Sequence, residues 1–253
     1  YGTVARSQEE LLSAVDVVSI AAPTRYHESL VGAAIDHGVH VLVEKPFVTD
    51  LVAGRDLADR AREADVTLQV GHVERFNPAV RALDDIVTEL SLIAVSARRL
   101  GPPVDRDCAD SVVRDLMIHD IDVILAHLDG EITTVSATSP PGRDYVSANL
   151  AFDDGVVATL TASRVTQEKI RELAFTADDC RVDVDYANQS VQVHRHSLPE
   201  YYQDDGGLRY RHESIIERPT VENGEPLKAE LSAFVEAARD RGEPVVTPED
   251  ALD

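Results

Sequence analysis

The chain has 253 residues, and its 46 acidic residues against 24 basic ones give a formal net charge of −22. So acidic a surface repels nucleic-acid phosphates, and a hydrophobic content of 43% is that of a globular protein. Because no apolar run is long enough to cross a bilayer, we expect neither a nucleic-acid partner nor a membrane partner.

The first hundred residues alternate between short apolar segments and helix-like patterns. Strands are predicted at residues 16–24, 39–44, 66–71 and 92–100. Helices are predicted at residues 26–38, 50–64 and 78–90. Such alternation with short connections predicts βαβ units and an incomplete Rossmann-type, doubly wound parallel sheet.

After about residue 100 the pattern changes to one long predicted helix at 111–129, a series of strands and a final helix at 227–242. Runs of strands with few helices predict an α+β domain with a mostly antiparallel open sheet. Residues 199–226 are polar and predict a long loop or lid. The fold class is therefore α/β plus α+β, with domains at 1–96 and 97–253.

Lys45 follows the predicted strand 39–44 and immediately precedes Pro46. It is one of three lysines among 24 basic residues, and the proline restricts it to an extended backbone. Ligands of open α/β sheets bind outside the carboxyl ends of the strands. Lys45 is therefore a candidate ligand-binding residue, and the alternative is a solvated lysine paired with Glu44.

Asp115 and His119 lie four residues apart in the predicted helix 111–129, so they would share one face of it. A histidine oriented by a carboxylate is a suitable general base near neutral pH. Two alternatives stay open: a core histidine with satisfied hydrogen bonds, and a metal site that adds His72. Because the chain has no HExxH motif and no cysteine cluster, we expect no metal.

The segment 71–78 follows a predicted strand and leads into a helix. Asn77 is predicted to cap that helix, and Arg75 is a candidate to hold an anionic or polyhydroxyl group. Arg164, with Lys169 and Arg171 close by, either binds a phosphate or pairs with neighbouring acids.

Four segments together resemble one family, the Gfo/Idh/MocA dehydrogenases, named after glucose–fructose oxidoreductase and inositol dehydrogenase. They are DVVSIAAPTRYH, VLVEKPFVTD, VGHVERFNP and DLMIHDIDV, in the family's order and spacing. GHVERFNP and the segment ASRVTQEKIRELAFTADDCRVDVDY are most similar to the branch that oxidises nucleotide sugars, such as UDP-N-acetylglucosamine 3-dehydrogenases.

The resemblance implies an NAD- or NADP-dependent enzyme, with NAD favoured, that oxidises a secondary hydroxyl of a sugar or nucleotide sugar. It implies that Lys45 contacts nicotinamide and substrate, that His119 is the general acid/base, and that Asp115 orients His119 or holds the substrate. The implied cofactor-binding residues are Ala22, Pro23, Thr24, His27, Glu44, Lys45 and Pro46. The implied substrate-binding residues are Arg75, Asn77, Asp115, His119 and Arg164.

The family's G-x-G-x-x-G motif does not occur in these 253 residues. The resemblance places it, with its strand–helix–strand unit, before Tyr1, so we expect a chain truncated at the N-terminus. The helix signal at Thr247 and Pro248 predicts a truncated C-terminus as well. A non-catalytic sugar-binding or scaffold protein on the same fold is the alternative to an enzyme.

Three further expectations concern the setting of the protein. Cys108 and Cys180 are expected to be free thiols, as in a reducing cytoplasm. Twenty-one arginines against three lysines, with the large acidic excess, suggest a halophilic protein. The resemblance implies a homodimer or homotetramer that assembles through the C-terminal sheet.

Overall fold

The structure is a computed structural model, and it describes residues 4–103, 111–196, 200–204, 207–211 and 213–253. Contacts between residues divide the chain into two compact units. The first unit consists of Tyr1–Phe76 and Glu225–Asp253, and the second unit consists of Asn77–Gly224. Cys108 lies outside the described residues, and Cys180 is a buried free thiol.

The helices and strands follow one another in the order that apolar periodicity predicts for most of the chain. The α-helices are α1 (Gln8–Leu12), α2 (His27–Asp36), α3 (Leu51–Glu63), α4 (Pro78–Arg81), α5 (Asp84–Val87), α6 (Ile118–His127) and α7 (Pro226–Asp240). The strands are β1 (Val17–Ile20), β2 (His40–Glu44), β3 (Leu68–Gly71), β4 (Leu92–Leu100), β5 (Ile132–Thr138), β6 (Tyr145–Phe152), β7 (Val157–Ser163), β8 (Ile170–Ala177), β9 (Cys180–Asp185), β10 (Ser190–His196), β11 (Glu200–Asp204), β12 (Gly207–Arg211) and β13 (Ser214–Glu217). Two 3-10 turns, Thr24–Tyr26 and Val73–Phe76, and a π-helical turn, Val113–Met117, complete the helical segments.

The first unit contains a parallel sheet of three strands in the order β1-β2-β3. Its strands are short and apolar, as in sheets covered on both faces. Val41, Val43 and Val70 are fully buried in a cluster that also includes Val31 of α2 and Leu57 of α3. The predicted Rossmann-type parallel sheet is confirmed.

The second unit contains an eight-stranded sheet in the order β13-β10-β9-β8-β4-β7-β6-β5. Every pairing in it is antiparallel except that of β4 with β7. One face carries the core, where Phe175, Leu160 and Leu173 pack with Ile124 of α6. The predicted mostly antiparallel second sheet is confirmed.

The two units divide the chain differently from the predicted boundary between residues 96 and 97. β4 pairs along its length with β7 and β8, so it belongs to the sheet of the second unit. α7 belongs to the first unit, because Ala229 and Ala233 pack against the core cluster there.

Three segments differ from the sequence predictions. The predicted helix 78–90 is divided into two short helices, α4 and α5. Residues 199–226 are not one long loop, because β11 and β12 pair as a hairpin and β13 joins the large sheet. The predicted helix 111–129 begins with the π-helical turn and continues as α6. Within the described ranges, no helix is long and apolar enough to span a membrane.

Candidate functional site

In the first unit, the predicted cofactor-binding residues lie at the carboxyl ends of adjacent parallel strands. The register aligns Ile20 with Val43 and Val43 with Val70, so β1, β2 and β3 end at the same edge of the sheet. Ala22 and Lys45 therefore follow neighbouring strand ends. This is the edge at which open α/β sheets bind ligands.

Lys45 occupies a short, sharply defined connection between β2 and α3. The peptide bond between Lys45 and Pro46 is cis. Asp50 then caps α3, because its carboxylate accepts hydrogen bonds from the main-chain N–H groups of Val52 and Ala53, at 2.8 and 3.0 Å. The backbone on both sides of Lys45 is thus fixed by β2 and by the helix cap.

His27 lies between the loop that follows β1 and the loop that follows β2. Its side chain is buried, with 1% exposed. Nε2 lies 2.8 Å from the carbonyl oxygen of Ala22, and Nδ1 lies 2.9 Å from that of Pro46 and 3.1 Å from that of Phe47. His27 therefore braces the loops after β1 and β2, and its place in the cofactor pocket stays a prediction.

Glu44 ends β2 opposite Gly71 of β3. A Cβ atom at Gly71 would lie 3.3 Å from the Cα atom of Glu44 and 3.4 Å from its carboxyl carbon. The carboxylate of Glu44 therefore lies directly over Gly71, and glycine permits this close approach.

The structure places Arg75 and Asn77 in different units. Arg75 lies half-buried in the turn Val73–Phe76 of the first unit. Asn77 is buried in the second unit, where its Oδ1 accepts from the N–H of Ala79 and its Nδ2 donates to the carbonyl oxygen of Tyr186, at 3.1 and 3.0 Å. The predicted helix cap is confirmed, and the contact of Asn77 with substrate stays a prediction.

In the second unit, Asp115 lies in the π-helical turn and His119 lies in the first turn of α6. Single π-helical turns inside α-helices occur frequently at functional sites. Arg164, at the end of β7, donates a hydrogen bond to the Asp115 carboxylate, and its Nη1 is 3.6 Å from Asp144. His119 is half-buried, so it remains accessible from solvent.

The pairing of Arg164 with Asp115 bears on whether Arg164 binds a phosphate or pairs with neighbouring acids. The Arg164 side chain is only 6% exposed, whereas that of Asp115 is 28% exposed. A buried guanidinium requires such a partner. Arg164 thus pairs with neighbouring acids and holds Asp115 in place next to α6.

Sequence reasoning missed a buried ion pair beside this turn. Arg99 of β4 donates through Nε and Nη2 to the two carboxylate oxygens of Asp120, at 3.0 and 2.8 Å. The guanidinium also lies over the ring of Tyr186, 4.9 Å from its centroid. The period-two pattern of β4 indicates that Arg99 is buried, because Val95, Ala97 and Arg99 lie on the same face of the strand, the core face.

A second missed residue, Glu230, lies on the buried side of α7, with 1% exposed. Burial and the nearby charge of Glu44 raise the pKa of Glu230 to about 8. Its spacing from Phe234 and Ala238, at four and eight residues, places it on the apolar face of the helix.

The first unit's residues fit the nicotinamide end of a dinucleotide. Thr24 and Lys45 follow the carboxyl ends of β1 and β2, and a hydroxyl and an ammonium group are of the kinds that bind a carboxamide and ribose hydroxyls. Among the described residues, no group of three or more His, Cys, Asp or Glu side chains is arranged to hold a metal ion.

Comparison with known proteins matches both units to one family. Residues 2–72 match the model described as "Oxidoreductase family, NAD-binding Rossmann fold", and residues 95–185 match the "GFO/IDH/MocA C-terminal domain". Two models of a single family thus follow each other along the chain in the order of the two sheets.

Individual relatives support the same family assignment. UDP-N-acetylglucosamine 3-dehydrogenase of Acidithiobacillus ferrooxidans is 33% identical over 192 residues, which cover 74% of this chain and 61% of that protein. Its solved structure superimposes with a TM-score of 0.84 at 29% identity, over 98% of this chain and 77% of that chain. The scyllo-inositol 2-dehydrogenase (NAD(+)) of Bacillus subtilis is 26% identical over 264 residues, 94% of this chain and 71% of that protein. The chain belongs to the Gfo/Idh/MocA family of oxidoreductases.

Proposed function

We propose that the protein is an NAD(P)-dependent dehydrogenase that oxidises a secondary hydroxyl of a sugar or nucleotide sugar, with NAD as the favoured cofactor. The observation that carries the proposal is the position of Lys45, on a fixed connection at the ligand-binding edge of a parallel sheet. The match of residues 2–72 to an NAD-binding family supports the cofactor. A relative described as UDP-N-acetylglucosamine 3-dehydrogenase supports the nucleotide sugar.

The proposed chemistry assigns one role to each group. A secondary alcohol has a pKa far above 7, so its proton must leave as the carbon–hydrogen bond breaks. His119 takes the hydroxyl proton as general base, and Asp115, held by Arg164, orients His119 or holds a substrate hydroxyl. NAD, when bound, supplies the acceptor for the hydride that leaves the same carbon.

Lys45 stabilises the developing charge in this proposal. Its ammonium group, placed beside the reacting oxygen, favours the alkoxide-like transition state over the neutral alcohol. Pro23, Thr24 and Glu44 would hold the nicotinamide end of the cofactor, and Arg75 would bind a polar group of cofactor or substrate. His27 holds the loops after β1 and β2 at the cofactor pocket, and Asn77 would, like Arg75, face cofactor or substrate.

The wider setting follows the sequence expectations. We propose a cytoplasmic, halophilic protein that assembles as a homodimer or homotetramer through the second unit's sheet. The exposure of every residue of β5, and of alternate residues of β7, supports the interface, because these residues lie outside the core.

The test is binding of NAD⁺ and NADH by calorimetry in molar KCl, with the 253-residue chain and any longer product of the same gene side by side. We expect binding, followed by NADH formation with a nucleotide sugar such as UDP-N-acetylglucosamine. Binding by neither protein would contradict the dehydrogenase and favour a non-catalytic sugar-binding or scaffold protein. Binding without turnover on any sugar would contradict the substrate class.

A further inference from the structure

The outward side of α7 carries a stripe of apolar side chains that are about half exposed. Leu227, Leu231 and Val235 are spaced four residues apart, so they follow one another along one side of the helix. Their exposed fractions are 55%, 39% and 47%. Single exposed apolar residues are ordinary on a protein surface, but a contiguous row of them is a candidate contact surface.

The apolar stripe is separate from the side by which α7 packs in the first unit. Phe234 and Ala238, on the inward side, are 2% and 6% exposed. Ala229 and Ala233 pack against the core cluster of that unit. A surface helix needs one apolar side to pack on its own unit, so the packing of α7 does not explain a second one.

Charged residues beside the apolar stripe are arranged symmetrically along α7. Lys228 and Glu236 lie four residues on either side of Ser232. Glu225 and Arg239 lie seven residues on either side of the same serine. Each of these pairs joins a positive and a negative side chain, and all four side chains are exposed.

This symmetry makes the charges complementary to those of a second, antiparallel copy of α7. A two-fold axis beside Ser232 reverses the direction of the second helix, so residues at equal distances on either side of the axis lie opposite each other. Lys228 then faces the partner's Glu236, and Glu225 faces the partner's Arg239. Every charge along the contact would meet its opposite.

The apolar stripe has nearly the same centre as the charges. Leu227 and Val235 lie four residues on either side of Leu231, which is the residue before Ser232. An axis between residues 231 and 232 therefore brings Leu227 against the partner's Val235 and the two copies of Leu231 against each other. Apolar contacts on one side of the axis and charge pairs on the other are the arrangement of antiparallel helix pairs.

The contacts that these charges make within one copy are weak. Lys228 lies 3.9 Å from Glu225, and Arg239 lies 2.7 Å from Asp240. These four side chains are between 62% and 79% exposed. Because exposed ion pairs contribute little to stability, they can be exchanged for pairs between copies at little cost.

We propose that the outward side of α7, from Glu225 to Arg239, is an interface with a second copy of this chain, in which two α7 helices pair antiparallel about a two-fold axis at Ser232. This interface is distinct from the assembly proposed for the second unit's sheet, because α7 belongs to the first unit. A net charge of −22 repels the copies at low salt, so the association should strengthen as KCl is added.

The test is disulfide crosslinking of the 253-residue chain in molar KCl. All variants carry Cys108→Ser, and the other native thiol, Cys180, is buried. Since the axis brings the two copies of residue 232 together, Ser232→Cys should form a disulfide between copies under mild oxidation. Absence of this link would overturn the pairing.

Cysteines at the charged positions test the register. In Glu236→Cys the two thiols lie about 12 Å apart along the helices, from a rise of 1.5 Å per residue, so this variant should not link to itself. Lys228→Cys should behave in the same way. The two variants mixed in equal amounts should link to each other, because Lys228 faces the partner's Glu236. Self-links at these positions as efficient as the link at residue 232 would indicate random collisions and contradict the register.

Leu231→Asp tests the apolar stripe. Added to Ser232→Cys, it should reduce the linked fraction by at least about tenfold, because it puts two carboxylates into the contact. Val52→Asp is the matched control, since Val52 is 74% exposed on α3 and should leave the link unchanged. Melting temperatures show that both variants fold, and equal linking in the two would contradict the contact.

A longer product of the same gene distinguishes a second copy from another occupant of this surface. Ser232→Cys should link in that product as it does in the 253-residue chain. A link in the 253-residue chain alone would overturn the pairing and assign the surface to a further segment of the polypeptide. None of these measurements depends on turnover, so they decide on the interface whether or not the protein is a dehydrogenase.

Discussion

Arg99 and Asp120 form a buried, two-point ion pair that joins β4 to α6. Their side chains are 4% and 2% exposed, and both guanidinium–carboxylate distances are 3.0 Å or less. Asp120 directly follows His119. The pair therefore fixes the turn of helix that presents the proposed general base.

Replacing Arg99 by alanine should destabilise the protein strongly. The change leaves the Asp120 carboxylate buried without its cation, and breaking a buried ion pair from one side costs about 3–5 kcal/mol. Chemical denaturation in molar KCl measures the loss.

The neighbouring Arg98 is the matched control for this prediction. It points to the other face of β4, where it lies 3.4 Å from Glu172 and both side chains are about half exposed. Arg98→Ala should cost less than about 1 kcal/mol, because exposed ion pairs contribute little. Equal losses in the two variants would contradict the structural importance of the Arg99–Asp120 pair.

Side-chain patterns predicted the elements better than their connections. The pattern of apolar and β-branched residues predicted β1 to β10, although every residue of β5 is exposed. It missed the hairpin of β11 and β12, whose pairing depends on main-chain hydrogen bonds in a polar segment. It also missed the π-helical turn at Val113–Met117, because a change in backbone hydrogen bonding leaves no mark in residue types.

The candidate site was predicted residue by residue, but not the bonds among the residues. Lys45, Asp115 and His119 were singled out because their types and spacing suit the chemistry, and their roles stay predictions. Sequence patterns do not identify Asp115 as the partner of Arg164, 49 residues away, or the carbonyl group of Pro46 as a partner of His27, 19 residues away. Long-range partners depend on the folded chain.

Lys45→Ala should reduce turnover by about 10²- to 10³-fold, because it removes a charge that stabilises the transition state. His119→Ala should do the same through loss of proton transfer, by about 10²- to 10⁴-fold. Melting temperatures should change little. The exposed Lys228→Ala is the control, and near-normal kcat in Lys45→Ala or His119→Ala would refute the corresponding role.

His27→Ala should weaken NAD binding by at least tenfold and destabilise the first unit by about 2–4 kcal/mol. The variant removes hydrogen bonds to the loops after β1 and β2 and leaves buried carbonyl groups without them. Calorimetric titration and thermal melting measure the two effects. His37 lies at the exposed end of the same helix, so His37→Ala should leave NAD affinity and stability unchanged. If His27→Ala binds NAD as tightly as the parent, His27 does not hold the loops in the shape that binds NAD.

The melting temperature should rise steeply with KCl between 0.01 and 1 M. Over this range the screening length falls from about 30 to 3 Å, which removes the mutual repulsion of a net charge of −22. Sucrose at matched osmolality is the control for general exclusion effects. Equal melting temperatures at low and molar salt would rule out the halophilic proposal.

Glu230→Gln should stabilise the protein at neutral and alkaline pH, although it removes a carboxylic acid that can donate a hydrogen bond. Folding raises the pKa of Glu230 from 4.5 to about 8, so the unfolded chain releases this proton more readily than the folded one. The contribution of Glu230 to the free energy of unfolding is therefore at its full value below pH 4.5. It falls as the pH rises and is fully lost above pH 8. At pH 7 the loss is about 3 kcal/mol, from about 1.4 kcal/mol per pKa unit.

Glutamine keeps the shape of the side chain without a titrating proton, so its advantage over the parent should grow from pH 5 to pH 8 and then level off. Urea denaturation at a series of pH values, in constant salt, measures this difference. Glu236→Gln should run parallel to the parent throughout, because that side chain is exposed. A constant difference between Glu230→Gln and the parent from pH 5 to pH 9 would show that Glu230 ionises alike in folded and unfolded chains, and the raised pKa of this buried group would then be disproved.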